Sequence, residues 1–255
     1  MHAPRDLALM TADVLARLRA RRPRVHCITN AVAQNFTANM LLAAGAVPSM
    51  TLSRDEVVDF VASADALLVN LGTLDTERRA AIDLAIIAVG AQVPWVLDPV
   101  LIDRSRPRRE LAATLASRHP RAIRLNDAEF RALAGVEPSA EALARYAATQ
   151  GSVIGLTGGR DVVTDGARTI AILNGDALMA KVTAMGCAAS AIVAACLAVE
   201  PDAWRATAAG LMLIGIAGEV AAGAAHGPGT FAPAILDTLH GLDAGTIVQR
   251  ARLEQ

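Results

Sequence analysis

The sequence lacks most of the marks of the common binding architectures. Its single lysine, Lys181, stands outside any Gly-Lys-Ser/Thr ending, and no Gly-x-Gly-x-x-Gly occurs. The Walker phosphate loop and the dinucleotide-binding fingerprint are therefore set aside. Cys27, Cys187 and Cys196 are an odd set without Cys-x-x-Cys spacing. They point to neither a disulfide framework nor a zinc site, and a reducing cytoplasm is the expected location. His26, His119, His226 and His240 show no metal-ligand spacing, so none is assigned a role. Net charge is -1 with acidic and basic residues interleaved, which leaves no electrostatic footprint for nucleic acid or an anionic membrane. The first residues lack the long apolar core of a secretory signal, and Asp6 and Asp13 argue against an organellar transit peptide. Val182 to Val199 carries no charge over nearly the length of a bilayer span. That run opens on a glycine-containing turn and is mostly alanine, and the alternating strands and helices before it belong to a soluble α/β chain, so no membrane span is expected.

What is present is apolar and regularly patterned. With 53% hydrophobic and 19% charged residues over 255 positions, the chain can bury a large core, and one domain covering 1–255 is expected. Leu7, Met10, Val14 and Leu18 recur at helical spacing and predict an amphipathic first helix. Five short apolar runs, VHCITN, ALLVNLGT, VPWVLDP, AIRLND and SVIGLTGG, end in polar or glycine residues and are followed by helical patterns. They predict a buried parallel sheet with helical crossovers. Ligands of such sheets lie beyond the carboxyl ends of the strands, which draws Asn30, Asn70, Asp98, Asn126 and Thr157 to one edge. DVVTDGARTIAIL reads as two antiparallel strands around a two-residue turn at Asp165-Gly166. Two alanine-rich helices follow, about 188–199 and 203–224, broken at Pro201.

VTAMGCAAS, at the start of the first alanine-rich helix, is the stretch with most chemical promise. A helix N-terminus there offers unpaired N–H groups and a positive dipole end to an anion, with Gly186 and Cys187 in the first turn. The same field favours a thiolate, which would make Cys187 a usable base near neutral pH, although a cysteine among alanines is more often a small core residue. Asp98, held extended by Pro99, suits a magnesium ion or its water shell, or else the N–H groups of a turn. Glu129 stands three residues after Asn126, giving either a capping box or a second carboxylate near phosphates. Arg124 ends a buried run and needs an anion, whether a nucleotide phosphate or a neighbouring carboxylate. Thr157, before Gly158-Gly159, offers a hydroxyl to phosphate or simply ends a strand.

Taken in order, VHCITNAVAQNFTANMLLAAGAVPSM, LVNLGTL, VLDPV, IRLNDAEF, LTGGRDVVTDG and GPGTFAPAILDTL resemble the hydroxyethylthiazole kinase family of the ribokinase-like superfamily over nearly the whole chain. The resemblance implies a three-layer α/β/α fold with a mostly parallel central sheet, and a homotrimer with active sites between subunits. It implies ATP and magnesium as cofactors and a small thiazole alcohol as substrate. By the same resemblance Met50 touches the thiazole with Asn30 nearby, Arg124 and Thr157 bind ATP, and Asp98 and Glu129 stand near magnesium. Gly186 belongs to the anion hole, and Cys187 takes the place of a catalytic base. The family writes Gly-Thr-Gly-Cys or Gly-Ala-Gly-Cys where this chain has Ala184-Met185-Gly186-Cys187. If position 184 needs positive φ, alanine strains the turn by about 1 kcal/mol and brings its methyl toward the substrate hydroxyl or γ-phosphate. Two alternatives stay open on that departure: a kinase for another heterocyclic or sugar alcohol, and a homologue that binds without transferring. VLIDRSRPRRE after Pro99 departs too, where the family continues with small residues, and implies a reshaped loop.

Overall fold

The computed structural model describes residues 4–90 and 92–254. Helix α1 (Pro4–Arg21) leads into β1 (Arg24–Ile28), and a regular alternation follows. The next elements are α2 (Gln34–Ala44), β2 (Val47–Ser49), α3 (Val57–Ala62), β3 (Ala66–Asn70), α4 (Thr76–Val89), β4 (Trp95–Asp98), α5 (Arg106–Ala116) and β5 (Ala122–Leu125). Two helices, α6 (Asp127–Ala134) and α7 (Ala140–Gln150), precede β6 (Val153–Leu156), and β7 (Asp161–Thr164) and β8 (Thr169–Ile172) follow. The chain closes with α8 (Met185–Leu197), α9 (Ala203–Ala224), α10 (Pro228–Gly241), α11 (Ala244–Arg250) and β9 (Leu253–Glu254).

Among the described residues nine strands form one sheet in the order β2-β1-β3-β4-β5-β6-β7-β8-β9. The pairs from β2 through β6 are parallel, and those joining β6 to β7, β8 and β9 are antiparallel. Helices cover both faces, so strand residues are apolar on both sides and split between two cores by their alternation. In β3, Ala66 and Leu68 join a core shared with α1, α2, α8, α9 and α10, while Leu67 and Val69 face the core on the opposite side. The same alternation turns Val96 of β4 and Ala122 of β5 toward α8, and Asp98 and Arg124 share their side. This is the three-layer α/β/α arrangement expected.

Details depart from the sequence reading. Thr164 pairs with Thr169, so the β7–β8 connection holds four residues rather than two. Asp165 shapes it by accepting from the amides of Ala167 and Arg168 at 2.9 and 2.7 Å, with Gly166 at φ 94. Helix α8 starts three residues earlier than expected and is too short to span a bilayer. Among the described residues α9 alone has the length and apolarity for that, and its most apolar stretch is 78% buried inside the protein.

Candidate active site

Sheet order sets the site in a row. Met50 follows β2, Asn30 lies just past β1, Asn70 and Asp98 end β3 and β4, Arg124 is in β5, and Thr157 follows β6. Five strand spacings separate the first from the last, about 24 Å. That distance gives an extended bipartite ligand room to lie across the carboxyl ends of the strands.

Helix α8 runs under the middle of this row, packed against β1, β3 and β4. Its N-cap is Ala184, at φ 69 and ψ -1, the left-handed conformation that the sequence raised as a condition. Among the described residues no side chain caps the helix, and the first regular helical bond is Ala188 N–H to the Ala184 carbonyl at 2.9 Å. Among the described residues the amides of Gly186 and Cys187 have no main-chain acceptor. These are the orphan donors of a helix N-terminus, the kind of place where an anion can be held. The Arg124 guanidinium lies so close that a Cβ on Gly186 would sit 2.7 Å from Nη1. The buried Nε of Arg124 has no hydrogen-bond partner among the described residues.

A hydrogen-bonded chain links the thiol to the carboxylate. Asn30 Nδ2 donates to Asn70 Oδ1 at 3.1 Å and toward Cys187 Sγ at 3.5 Å, while its Oδ1 accepts from the Ala33 amide. Asn70 Nδ2 donates to Asp98 Oδ2 at 2.8 Å, and Ser190 Oγ donates to the same oxygen at 2.9 Å. One carboxylate oxygen is thereby saturated. The other, Oδ1, is buried and has no hydrogen-bond partner among the described residues. A cation or its water shell would satisfy it, so the residues present fit magnesium.

Burial dominates the titration of this cluster. Asp98 is pushed up to about 6 by desolvation, opposed first by Arg124 and helped by the charge of Glu129. Cys187 is pushed up to about 11 by desolvation and by the charge of Asp98, with smaller opposing effects from Asn70, Asn30 and Arg124. The expectation of a thiolate near neutral pH meets the opposite trend: partial burial and the charge of Asp98 raise the group and favour the thiol.

Glu129 meets the capping expectation. Its Oε2 accepts from the Asn126 amide at 3.0 Å, Asn126 Oδ1 accepts from the Glu129 amide at 2.9 Å, and its Oε1 holds the Leu101 amide at 2.9 Å. It is buried and acts on Asp98 through space, while fixing the loop after Pro99. Thr157 is half-buried, and its hydroxyl makes only a long contact, 3.4 Å, to the Leu125 carbonyl. Met50 is half-buried against the α8-side core, next to β2.

A cavity of about 540 Å³ opens beside the α8 N-terminus. Arg124, Gly186, Met185 and Thr157 border it, and so does Asp161. Met185 is almost wholly buried and leaves that volume open. Asp161 is pushed up to about 6 by desolvation, against the Gly158 amide it accepts from at 2.9 Å and the charge of Arg124. Sequence reasoning passed over Asp161 and Ser190. Ser190 left a readable signal: a polar residue in an apolar helix, one turn beyond Gly186 on the same face. Asp161 opens an ordinary alternating strand and left none.

The model of the hydroxyethylthiazole kinase family matches residues 15–245. The chain belongs to that family. A probable hydroxyethylthiazole kinase of Agrobacterium fabrum is 44% identical, the match covering 97% of this chain and 96% of the relative. The structure of a hydroxyethylthiazole kinase protein from Pyrococcus horikoshii superposes with a TM-score of 0.91 at 35% identity, covering 96% of this chain and 98% of that one. A ribokinase-like superfamily protein from Enterococcus faecalis superposes with a TM-score of 0.67 at 17% identity, covering 89% of each, which speaks for the fold alone.

Proposed function

We propose that the chain transfers the γ-phosphoryl group of ATP to the hydroxyethyl group of hydroxyethylthiazole, in thiamine synthesis or salvage. The observation that carries the reading is the uncapped N-terminus of α8. Among the described residues its amides at Gly186 and Cys187 have no main-chain acceptor, Gly186 borders the same cavity as Arg124, and the Cys187 thiol stands in the same turn. Phosphoryl transfer has a loose transition state with charge spread over the equatorial oxygens, so fixed donors aimed at that group matter more than a strong base. The Gly186 and Cys187 amides and Arg124 hold the moving group. Thr157, on the cavity wall, offers its hydroxyl to the nucleotide phosphates. The thiazole lies toward Met50 and Asn30, and its hydroxyl points at Cys187. The thiol orients that hydroxyl by a hydrogen bond while Asn30 fixes the sulfur, and the hydroxyl proton goes to an oxygen of the transferring phosphoryl group as the new O–P bond forms and the bond to ADP breaks. Asp98, with Glu129 behind it, would hold magnesium, which would supply neutralisation of phosphate charge.

Val32, Leu42, Val58 and Phe60, on the segments that precede and follow edge strand β2 in the chain, are exposed apolar side chains, which supports a homotrimer with sites shared between subunits. Light scattering at the mass of three chains supports that assembly, and a monomer opposes it. The free thiols Cys27, Cys187 and Cys196 suit the cytoplasm.

The left-handed Ala184 favours one competing reading, nucleotide or thiazole binding without transfer. Purified protein with ATP, magnesium and a panel of alcohols separates the two. ADP and a phosphorylated thiazole support the kinase. Nucleotide binding with no phosphorylated product supports the competitor, and a different phosphorylated alcohol would replace the substrate.

A further inference from the structure

The end of the cavity away from Arg124 is built by a segment with no regular secondary structure at its start. Leu173, Asn174, Gly175 and Ala177 follow β8 and line the cavity together with Ile214 and Gly215 of α9. A loop free to move would leave the slot poorly shaped. Here it is fastened on two sides.

The first fastening is the C-terminal segment. Leu173 N–H donates to the Arg252 carbonyl at 2.9 Å, and Arg252 N–H donates to Asn174 Oδ1 at 2.9 Å. Asn174 Nδ2 donates to the Arg250 carbonyl at 2.9 Å and to Glu219 Oε2 at 3.0 Å. Glu219 Oε1 accepts from the Gly175 amide at 3.2 Å and from the Arg252 guanidinium, which also donates to the Leu173 carbonyl at 2.7 Å. Asn174 is buried, and every polar atom of its side chain is used. The second fastening is steric. Gly215 lies so close beneath the loop that a Cβ there would meet the Asn174 carbonyl oxygen at 2.7 Å and the Asn174 carbonyl carbon at 3.0 Å. Backbone, unlike a side-chain tip, has no rotamer by which to yield.

We propose that Asn174, Glu219 and Arg252 form a clasp that positions the nucleoside-side wall of the cavity, so that residues 250–252 and the Gly215 notch set nucleotide affinity. The inference rests on the nucleotide occupying this cavity with its phosphates toward Gly186 and Arg124, as in the proposed function. The clasp residues are positioning residues: their effect reaches the ligand through the shape of loop 173–177. Loosening the wall therefore weakens nucleotide binding and leaves the alcohol half, beside Met50 and Asn30, unchanged.

The test uses the full chain with Arg252→Ala, Asn174→Ala and Gly215→Ala, measuring the Kd of ADP by calorimetry and the separate KM values for ATP and alcohol. Losing part of the clasp is expected to raise Kd and the KM for ATP about threefold to tenfold, with the alcohol KM unchanged. Melting curves identify the folded variants. Arg252, on the surface, provides the mildest change should Gly215→Ala fail to fold. Folded Arg252→Ala and Asn174→Ala proteins with wild-type ADP affinity would overturn the inference, as would an equal rise in both KM values. Wild-type protein that binds ADP but phosphorylates no alcohol, with variants that bind it more weakly, would defeat the kinase reading and leave the clasp standing. Wild-type protein that binds no nucleotide would overturn both.

Discussion

Gly186→Ala separates chemistry from folding at the α8 N-terminus. Gly186 has ordinary helical backbone, so alanine there costs no strain and contributes up to about 1 kcal/mol through helix propensity. The new methyl, however, would stand 2.7 Å from Arg124 Nη1 and 3.3 Å from its Cζ. The guanidinium must move away from the amides it borders. Losing one charge-assisted contact to phosphate costs about 1.5–3 kcal/mol, a factor of roughly ten to a hundred and fifty in kcat/KM for ATP. The assay pairs coupled ATP-consumption kinetics with a thermal melt. The expected result is a large fall in kcat/KM with Tm unchanged or raised. Wild-type kcat/KM in a folded Gly186→Ala protein would refute the placement of the phosphoryl group between Gly186 and Arg124.

Other expectations follow from the same cluster. Cys187→Ala is expected to lower kcat by no more than about a hundredfold, because a group held near 11 directs a hydrogen bond more than it abstracts a proton; single-turnover rates at the wild-type value would remove the thiol from the mechanism. At pH 8 roughly one thiol in a thousand is ionised at that value, so iodoacetamide is expected to modify Cys187 far more slowly than an exposed cysteine, as mass spectrometry over time would show. The folded value of Asp98, about 6, lies above its unfolded one, so the native state holds this proton more tightly. Its ionisation penalty is present above about pH 6 and is relieved as pH falls toward about 4. Asp98→Asn is therefore expected to melt no lower than wild type at pH 7 while losing most magnesium-dependent activity. A markedly lower Tm at that pH would contradict the burial argument.

Much of the fold was legible because both faces of the sheet are covered. Runs such as ALLVN are apolar throughout, and each ends in the polar residue that reaches the crevice. The row from Asn30 through Asn70 and Asp98 to Thr157 followed from that pattern alone. The roles of Met50 and Ala184 came from resemblance, and the positive φ at Ala184 turned a condition into a geometric fact. Other features depend on contacts between distant segments, which local pattern does not encode. The pairing of Ser190 with Asp98 joins residues 92 positions apart, and the clasp joins Asn174 to the chain end. The raised value at Cys187 was misjudged for a related reason. A helix start is visible in sequence, whereas the depth of its burial under β3 and β4 is a property of the assembled layers.

The most direct test is a crystal structure with ADP, magnesium, aluminium fluoride and hydroxyethylthiazole. The account expects the fluoride group within about 3.2 Å of the Gly186 and Cys187 amides, with Arg124 beside it and the thiazole hydroxyl facing the sulfur. Fluoride bound elsewhere, with the Met185 side chain lying across those amides, would contradict it.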